Sequence, residues 1–412
     1  MAVGTHTVMA MASGHPGLLT INVGSSSLKS VLFRMGAGEH IDVRATAAHL
    51  GTGTAELRVV DAHATDLHRA GVGADHGDAL DAWFEWLRDS GRGDDLFAVG
   101  HRVVHGGDRY DAPVLVDDHV VTELQRLEPL DPEHMPQALR AIELTRRAFP
   151  SVPQVACFDT AFHRTMPRVA TLLPLPRRFR ESGLRRYGFH GLSYEYVMYE
   201  LRRIDPHAAN GRVVIAHLGS GASMAAVRHG VGVDTTMGLT AAGGLVMSTR
   251  SGDLDPGVLA QLLTSGQVDV DSLGALINEE SGLLGVSGSS ADMEALLARE
   301  NADAGAADAV ALFCYQARKH LGALIAVLGG LDTLVFTAGI GEHSATVRER
   351  ICNAFDHVGL ELDPASNERH APVVSSATSR VVVRVLATDE ALMIARHTSR
   401  VVADGGNERV RV

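Results

Sequence analysis

The chain has almost no lysine: of its 37 cationic side chains only Lys29 and Lys319 are not arginine. Where arginine is used so consistently, a retained lysine marks a place that needs a compact ammonium rather than a planar fork. Cysteine is also scarce, with three residues, Cys157, Cys314 and Cys352, widely spaced and in no CxxC pair. That argues against a disulfide scaffold and a cysteine zinc site, and fits a reducing compartment. There is no excess of positive charge. A formal net charge of -12 argues against nucleic-acid and membrane-surface binders, which carry basic patches, while local arginines leave a small anionic substrate open. No apolar run approaches the roughly 20 residues that span a bilayer. Met1 to Gly17 lacks a basic start followed by an apolar block, so it does not read as a signal peptide. Residues 1–16 read instead as a disordered extension, or as a start placed upstream of Met9 or Met11, and the expected location is cytoplasmic.

What is present is an ordinary globular composition, 45% hydrophobic and 21% charged, over 412 residues. That length exceeds one simple core and predicts two or three domains. Leu18 to Val23, a Gly24-Ser25-Ser26-Ser27 turn, and Leu28 to Phe33 read as strand, turn, strand. Val213 to Leu218, Gly219-Ser220-Gly221-Ala222-Ser223 and Met224 to Val227 repeat the plan, aligning Gly24 with Gly219 and Ser25 with Ser220. Two such units half a chain apart point to two domains of similar architecture. Apolar spacing predicts helices over 79–89, 133–148, 306–328 and 344–358, and strands over 97–104, 152–158, 333–338 and 380–386. Their alternation indicates an α/β protein. Residues 238–257, rich in glycine and without periodicity, read as a long functional loop, and 403–412 as a frayed tail.

Asn22-Val-Gly-Ser-Ser-Ser-Leu-Lys29 supplies backbone N–H groups at a tight turn, hydroxyls, an amide and a lysine, the parts of an anion cradle. A serine-rich hairpin turn is the plain alternative. Thr337-Ala-Gly339-Ile-Gly341-Glu342-His343 joins a strand to a helix, a common way to bring a helix N-terminus to a nucleotide. It lacks the third glycine of the dinucleotide fingerprint, and no GxxxxGK[ST] loop occurs in the chain. Arg102 and Arg250 each stand among glycines, which suits bidentate capture of carboxylate or phosphate, although surface ion pairs are the commoner use of such residues. Asp159, His163 and His190 lie near predicted strand ends. Their spacing fits neither HExxH nor a Cys/His zinc site, whereas Asp159 suits Mg²⁺ held through water.

In this order the segments NVGSSSLK, GHRVVHGG, FDTAFHRTMP, YGFHGLS, HLGSGAS, TRSGDLDP, FTAGIGE and ATDEALMIAR closely resemble the acetate kinase family, from Asn22 to about His397. The resemblance implies two ribonuclease-H-like domains of the actin-like ATPase type around a nucleotide cleft. Their expected limits are 17–159 with 391–412, and 160–390. It implies reversible in-line transfer of the ATP γ-phosphate to acetate, with Mg²⁺ (or Mn²⁺) as cofactor and ATP/ADP as co-substrate. A homodimer is implied, and neither nucleic acid nor membrane as partner. On that reading Asn22, Ser25, Ser27 and Lys29 form the phosphate-side loop of the first domain. Arg102 and Arg250 hold the carboxylate and the phosphoryl group, His190 stabilises the planar phosphoryl, and Asp159, Glu390 and Asn22 organise the metal. His217, Gly219, Ser220 and Gly221 lie along the nucleotide phosphates. Gly339 and Ile340 lie by the adenosine, Asp292, Met293 and Gly341 also bind the nucleotide, and Val104, Leu130, Phe189 and Ala241 with Arg102 line the acyl pocket.

Some positions depart from the family pattern. Ser220, His343 and Asp389 each replace an asparagine and Glu294 replaces an arginine, all on the donor side. Asp131 replaces a histidine and Ala241 a proline on the acyl side. The first group leaves a diphosphate or polyphosphate donor open. The second leaves propionate or butyrate open, because one methylene in a hydrophobic pocket is worth only about 1–3 kcal/mol. A nucleotide-binding module without phosphotransfer is the remaining alternative, disfavoured because it would need no carboxylate clamp.

Overall fold

A computed structural model of the chain describes residues 15–24, 26–51, 54–73 and 75–405. Ser25, most of the expected N-terminal extension, and residues 406–412 of the expected tail lie outside them. Contacts divide the chain into two compact units. The first comprises the residues up to 104, 112–158 and those from 391 on; the second comprises 105–111 and 159–390.

The first unit is built on an eight-stranded sheet in the order β5-β4-β3-β2-β1-β6-β8-β7. These strands are β1 Gly17–Val23, β2 Leu28–Met35, β3 Glu39–Ala48, β4 Glu56–Asp61, β5 Asp66–Gly71, β6 Leu96–Val103, β7 Val114–Leu115 and β8 Gln154–Phe158. β1 to β5 form an antiparallel meander, while β6 runs parallel to β1 and β8 parallel to β6. β1 and β8 are buried along almost their whole length, as expected of central strands covered on both faces. Helix His76–Asp89 presents Ala79, Leu80, Trp83, Phe84 and Leu87 at helical spacing to one face of the sheet. Its start is set by Asp75, whose carboxylate accepts from the Asp78 N–H at 2.8 Å. The final helix, Glu390–Ala403, packs Ala395 against Leu18, Val31, Phe33 and Ala98 of the sheet. Gly100 of β6 permits that approach, since a β-carbon there would lie 2.2 Å from Thr398 Oγ1.

The second unit holds a five-stranded sheet in the order β11-β10-β9-β12-β13. Its strands are β9 Arg212–Leu218, β10 Ala222–Arg228, β11 Val231–Thr235, β12 Thr333–Thr337 and β13 Val382–Val385. β9, β10 and β11 are antiparallel, and β12 and β13 run parallel to β9. This is the order and sense of β3-β2-β1-β6-β8, so the repeated strand–turn–strand pattern in the sequence reflects two sheets of one ribonuclease-H-like plan. Helix Gly191–Ile204 packs Tyr194, Val197, Met198 and Leu201 against Val213, Ile215, Ala225 and Val227. The helix Ala304–Leu328 lies against β9 and β10.

One expected helix is interrupted. Residues 344–358 form helix Ala345–Cys352 and a separate turn, Asp356–Val358, rather than one element. Ala354 sits at φ 98°, a conformation that no α-helix accommodates. The glycine-rich 238–257 carries no regular element until helix Pro256–Thr264, as its lack of periodicity suggests.

Candidate functional site

In the first unit, Asn22 stands near the end of β1 and Arg102 near the end of β6, the strand paired to it in parallel. The pairing brings them together, and the Arg102 guanidinium donates to Asn22 Oδ1 at 3.1 Å. The turn from β1 to β2 closes by a bond from the Gly24 N–H to the Ser27 carbonyl at 2.8 Å. Lys29, the second residue of β2, is exposed. Val104, one residue past β6, is buried, and Leu130 ends the short turn Glu128–Leu130, half-buried. Asp131 follows it, buried, and its carboxylate accepts from the His134 N–H at 3.0 Å and lies 2.9 Å from His134 Nδ1. An imidazole therefore stands three residues after the position where the family pattern has one.

In the second unit the site is organised around the turn 219–221, which joins β9 to β10. The turn closes by a bond from the Gly219 N–H to the Gly221 carbonyl at 3.1 Å. Gly221 is closely bordered: a β-carbon there would lie 3.2 Å from His190 Nε2, which would have to give by a few tenths of an ångström, and 3.6 Å from an Arg250 guanidinium nitrogen, an ordinary contact. A β-carbon on Gly219 would lie 3.8 Å from His217 Nε2. Two imidazoles and one guanidinium thus border one turn.

Their placement follows from the surrounding elements. His190 precedes helix Gly191–Ile204 with φ 58°, a left-handed conformation that histidine enters more readily than branched residues. A β-carbon at Gly191 would lie 2.0 Å from the Asp159 carbonyl oxygen, so only glycine lets the helix start against that loop. His217 sits on β9 and stacks on His190, with ring centroids 4.2 Å apart and planes at 19°. Arg250 lies in the irregular segment before helix Pro256–Thr264, near the turn through Ser248, whose N–H donates to the Ser220 carbonyl at 3.0 Å. Its guanidinium donates to the Ala241 carbonyl at 3.4 Å.

Beneath the imidazoles lies a buried polar layer. Ser223 Oγ is 2.8 Å from His190 Nδ1 and is bonded to the Tyr194 hydroxyl. Ser193 Oγ is 2.8 Å from His217 Nδ1 and accepts from Thr388 Oγ1 at 2.9 Å. Burial pushes the Tyr194 phenol well above its ordinary value, so it stays protonated. Asp159 is 1% exposed in the same region and acts on both Tyr194 and His163 through its charge. His163 is held by the Phe189 carbonyl at 2.8 Å, and burial lowers its pKa to about 4. It is a structural histidine. Ser193, Tyr194 and Thr388, to which motif reading gave no role, belong to this polar layer. A helix starting after His190 places 193 and 194 on the same inner face as its first turn, which is the signal that could have found them.

Farther along, Asp292 caps helix Met293–Leu297 by accepting from the Ala295 N–H at 2.7 Å, and Met293 is buried. Gly339, Ile340 and Gly341 fall in helix Ala338–His343, which opens straight after β12 with Ala338 at φ 64°. Among the described residues, nothing beyond its own helix lies within 4 Å of where a Gly339 β-carbon would stand. Arg348 is fully buried under this helix and donates to the Gly341 and Glu342 carbonyls at 2.8 and 2.9 Å. Phe189 is buried, Ala241 half-buried, and Glu390 opens the final helix. Among the described residues no cluster of three or more His, Cys, Asp and Glu could cage a metal. Mg²⁺ does not require one, because it keeps several waters and is bound through one or two carboxylates and substrate phosphates. Asp159 and Glu390 are a suitable donor set of that kind.

The sequence profile of the acetokinase family matches residues 17–396. An acetate kinase of Methylocella silvestris is 45% identical over 398 residues, covering 92% of this chain and 96% of that protein. Among solved structures, a propionate kinase of Francisella tularensis superposes with a TM-score of 0.87 at 32% identity, covering 93% of this chain and 99% of its own. An acetate kinase of Porphyromonas gingivalis gives 0.83 at 34% identity, covering 94% and 100%.

Proposed function

This chain belongs to the acetokinase family, and we propose from that premise that it transfers the ATP γ-phosphate reversibly to acetate, yielding acetyl phosphate and ADP. It is an enzyme, a phosphotransferase with a carboxyl group as acceptor. The observation that supports the reading most is the meeting of His190 Nε2 and an Arg250 guanidinium nitrogen at Gly221. Phosphoryl transfer between two anions needs little covalent chemistry from the protein. It needs alignment, and donors around the equatorial oxygens of the group in flight.

In this reading Arg250 and His190 supply those donors, and Arg102, oriented by Asn22, binds the acceptor carboxylate. The backbone of Gly219 and Gly221, with Ser220 and His217, follows the nucleotide phosphates. Asn22, Ser27 and Lys29 serve the phosphate side of the first unit. Gly339 and Ile340 serve the adenosine, and Gly341, Asp292 and Met293 also bind the nucleotide. Val104, Leu130, Phe189 and Ala241 receive the acyl group. Asp159 and Glu390, with Asn22, would hold Mg²⁺, which neutralises phosphate charge when bound. The ribonuclease-H-like domain limits of 17–159 with 391–412 and 160–390, a homodimeric state and a cytoplasmic location belong to the same reading.

The test is acyl phosphate formation trapped with hydroxylamine. Wild-type enzyme given ATP, Mg²⁺ and acetate should form hydroxamate, and Arg250→Ala should lose it by about 100-fold or more. Nucleotide binding without turnover on any short acid would overturn the reading. Alanine in place of proline at 241 supports a second acid: propionate should be used at least comparably. A large preference for acetate in kcat/KM would remove that part. A screen of donors should favour ATP over diphosphate and polyphosphate.

A further inference from the structure

We propose that two hydroxyl relays, Thr388–Ser193–His217 and Tyr194–Ser223–His190, lock both stacked imidazoles in the Nε2-protonated tautomer. Each then meets phosphate oxygens as a hydrogen-bond donor. The inference rests on the kinase reading above and adds to it positioning residues and a defined proton position.

The argument is a count of protons in this layer. Ser193 is fully buried, and among the described residues its hydroxyl has two hydrogen-bond neighbours, half-buried Thr388 Oγ1 at 2.9 Å and His217 Nδ1 at 2.8 Å. Thr388 donates to it. The single proton of Ser193 then has one acceptor, His217 Nδ1, and a nitrogen that accepts there carries its own proton on Nε2. The second relay closes more tightly. Tyr194 is fully buried, and burial keeps its phenol protonated. Its hydroxyl is bonded to Ser223, itself fully buried, and Ser223 is bonded in turn to His190 Nδ1. Only one direction satisfies every proton: Tyr194 to Ser223, Ser223 to His190 Nδ1. The reverse would leave the Tyr194 proton buried without an acceptor, which costs about 1–3 kcal/mol. His190 therefore also carries its proton on Nε2.

Both Nε2 atoms border the turn 219–221. This orientation suits the chemistry. A short carboxylic acid is already ionised at neutral pH, so transfer to it needs no general base. An imidazole with an accepting Nε2 would face phosphate oxygens lone pair to lone pair. The relays prevent that arrangement without requiring either ring to take a second proton.

The experiment is a long-range ¹H–¹⁵N correlation of the full chain labelled at histidine, without substrate. Signals are assigned by their loss in His190→Gln and His217→Gln. Both histidines should show an unprotonated Nδ1 and a protonated Nε2. Ser193→Ala should let His217 redistribute between tautomers and raise KM for ATP roughly 10-fold, and Ser193→Thr should restore both. Tyr194→Phe should do the same to His190, with the loss falling on kcat. If Ser193→Ala does not fold, Thr388→Val tests that relay from its outer end. A proton on Nδ1 of either ring in the wild type would overturn the proposal, as would tautomers unchanged in the variants. A merely structural role would lower Tm while leaving the ring nitrogens alone. The spectra need no turnover, so failure of the relay and failure of the kinase reading are separable.

Discussion

In the first sheet β1 and β2 pair from Val23 and Leu28, leaving residues 24–27 as the turn; in the second, β9 and β10 pair from Leu218 and Ala222, leaving only 219–221. The longer turn carries hydroxyls and leads to the exposed Lys29. The shorter one has two glycines, with imidazoles and a guanidinium pressed against them and a buried polar layer beneath. One strand plan thus supports two kinds of turn. An exposed cation beside a turn of hydroxyls can adapt to its ligand. A tight turn ringed by fixed donors must be shaped before the ligand arrives, and its supporting side chains become as necessary as the donors.

That difference can be broken or sharpened by experiment. The largest effect should come from the brace of the second unit. Arg348→Met leaves two carbonyls of helix Ala338–His343 and the Asn367 side chain without their buried partner. It should cost about 1–3 kcal/mol for each polar group left unpaired, read by denaturant unfolding, and raise KM for ATP. Unchanged stability would mean that this loop needs no such support.

Acid should act on both units alike. His101 in the first unit and His163 in the second are buried, and burial lowers each pKa from 6.5 to about 4. The unfolded chain therefore takes up these protons first. Stability is fully present above pH 6.5 and falls as pH drops from there to about 4, by about 3 kcal/mol for each histidine. His101→Gln and His163→Gln should each remove part of the slope of stability against pH between those limits. A slope owed to one histidine alone would show the units to be unequal in acid.

Gly221→Ala should lower kcat about 100-fold while Tm holds, because the new methyl meets His190 and Arg250 side chains rather than backbone. The smallest effect belongs to the other turn. A methyl at Gly24 would meet the Ser27 hydroxyl, 3.1 Å away and free to rotate, so Gly24→Ala should change kcat less than about threefold. Equal losses at 24 and 221 would erase the distinction between the turns.

The two sheets were legible in the sequence because each opens with an apolar run, a glycine–serine turn and a second run, and burial on both faces keeps those runs nearly continuous. Arg102 and Asn22 were legible as separate motifs. Their contact needed the parallel pairing of β1 with β6, which is a non-local event. The polar layer was less accessible. Ser193 and Tyr194 follow His190 at helical spacing and so share its inner face, but Thr388 lies nearly two hundred positions from its partner, and that contact is non-local. The break at Ala354 was missed for a different reason. Apolar spacing continues across it, and an alanine gives no warning of positive φ.

The near-absence of lysine has a chemical consequence for a protein that makes an activated acyl group. Acyl phosphates acylate primary amines, and guanidinium groups are poor nucleophiles by comparison. Only Lys29 and Lys319 offer side-chain amines, and both are exposed. Product accumulating around the enzyme should therefore leave at most two side-chain adducts, separable by mass. The one at Lys29 would abolish a charge beside the first turn, while the one at Lys319 would decorate a helix surface.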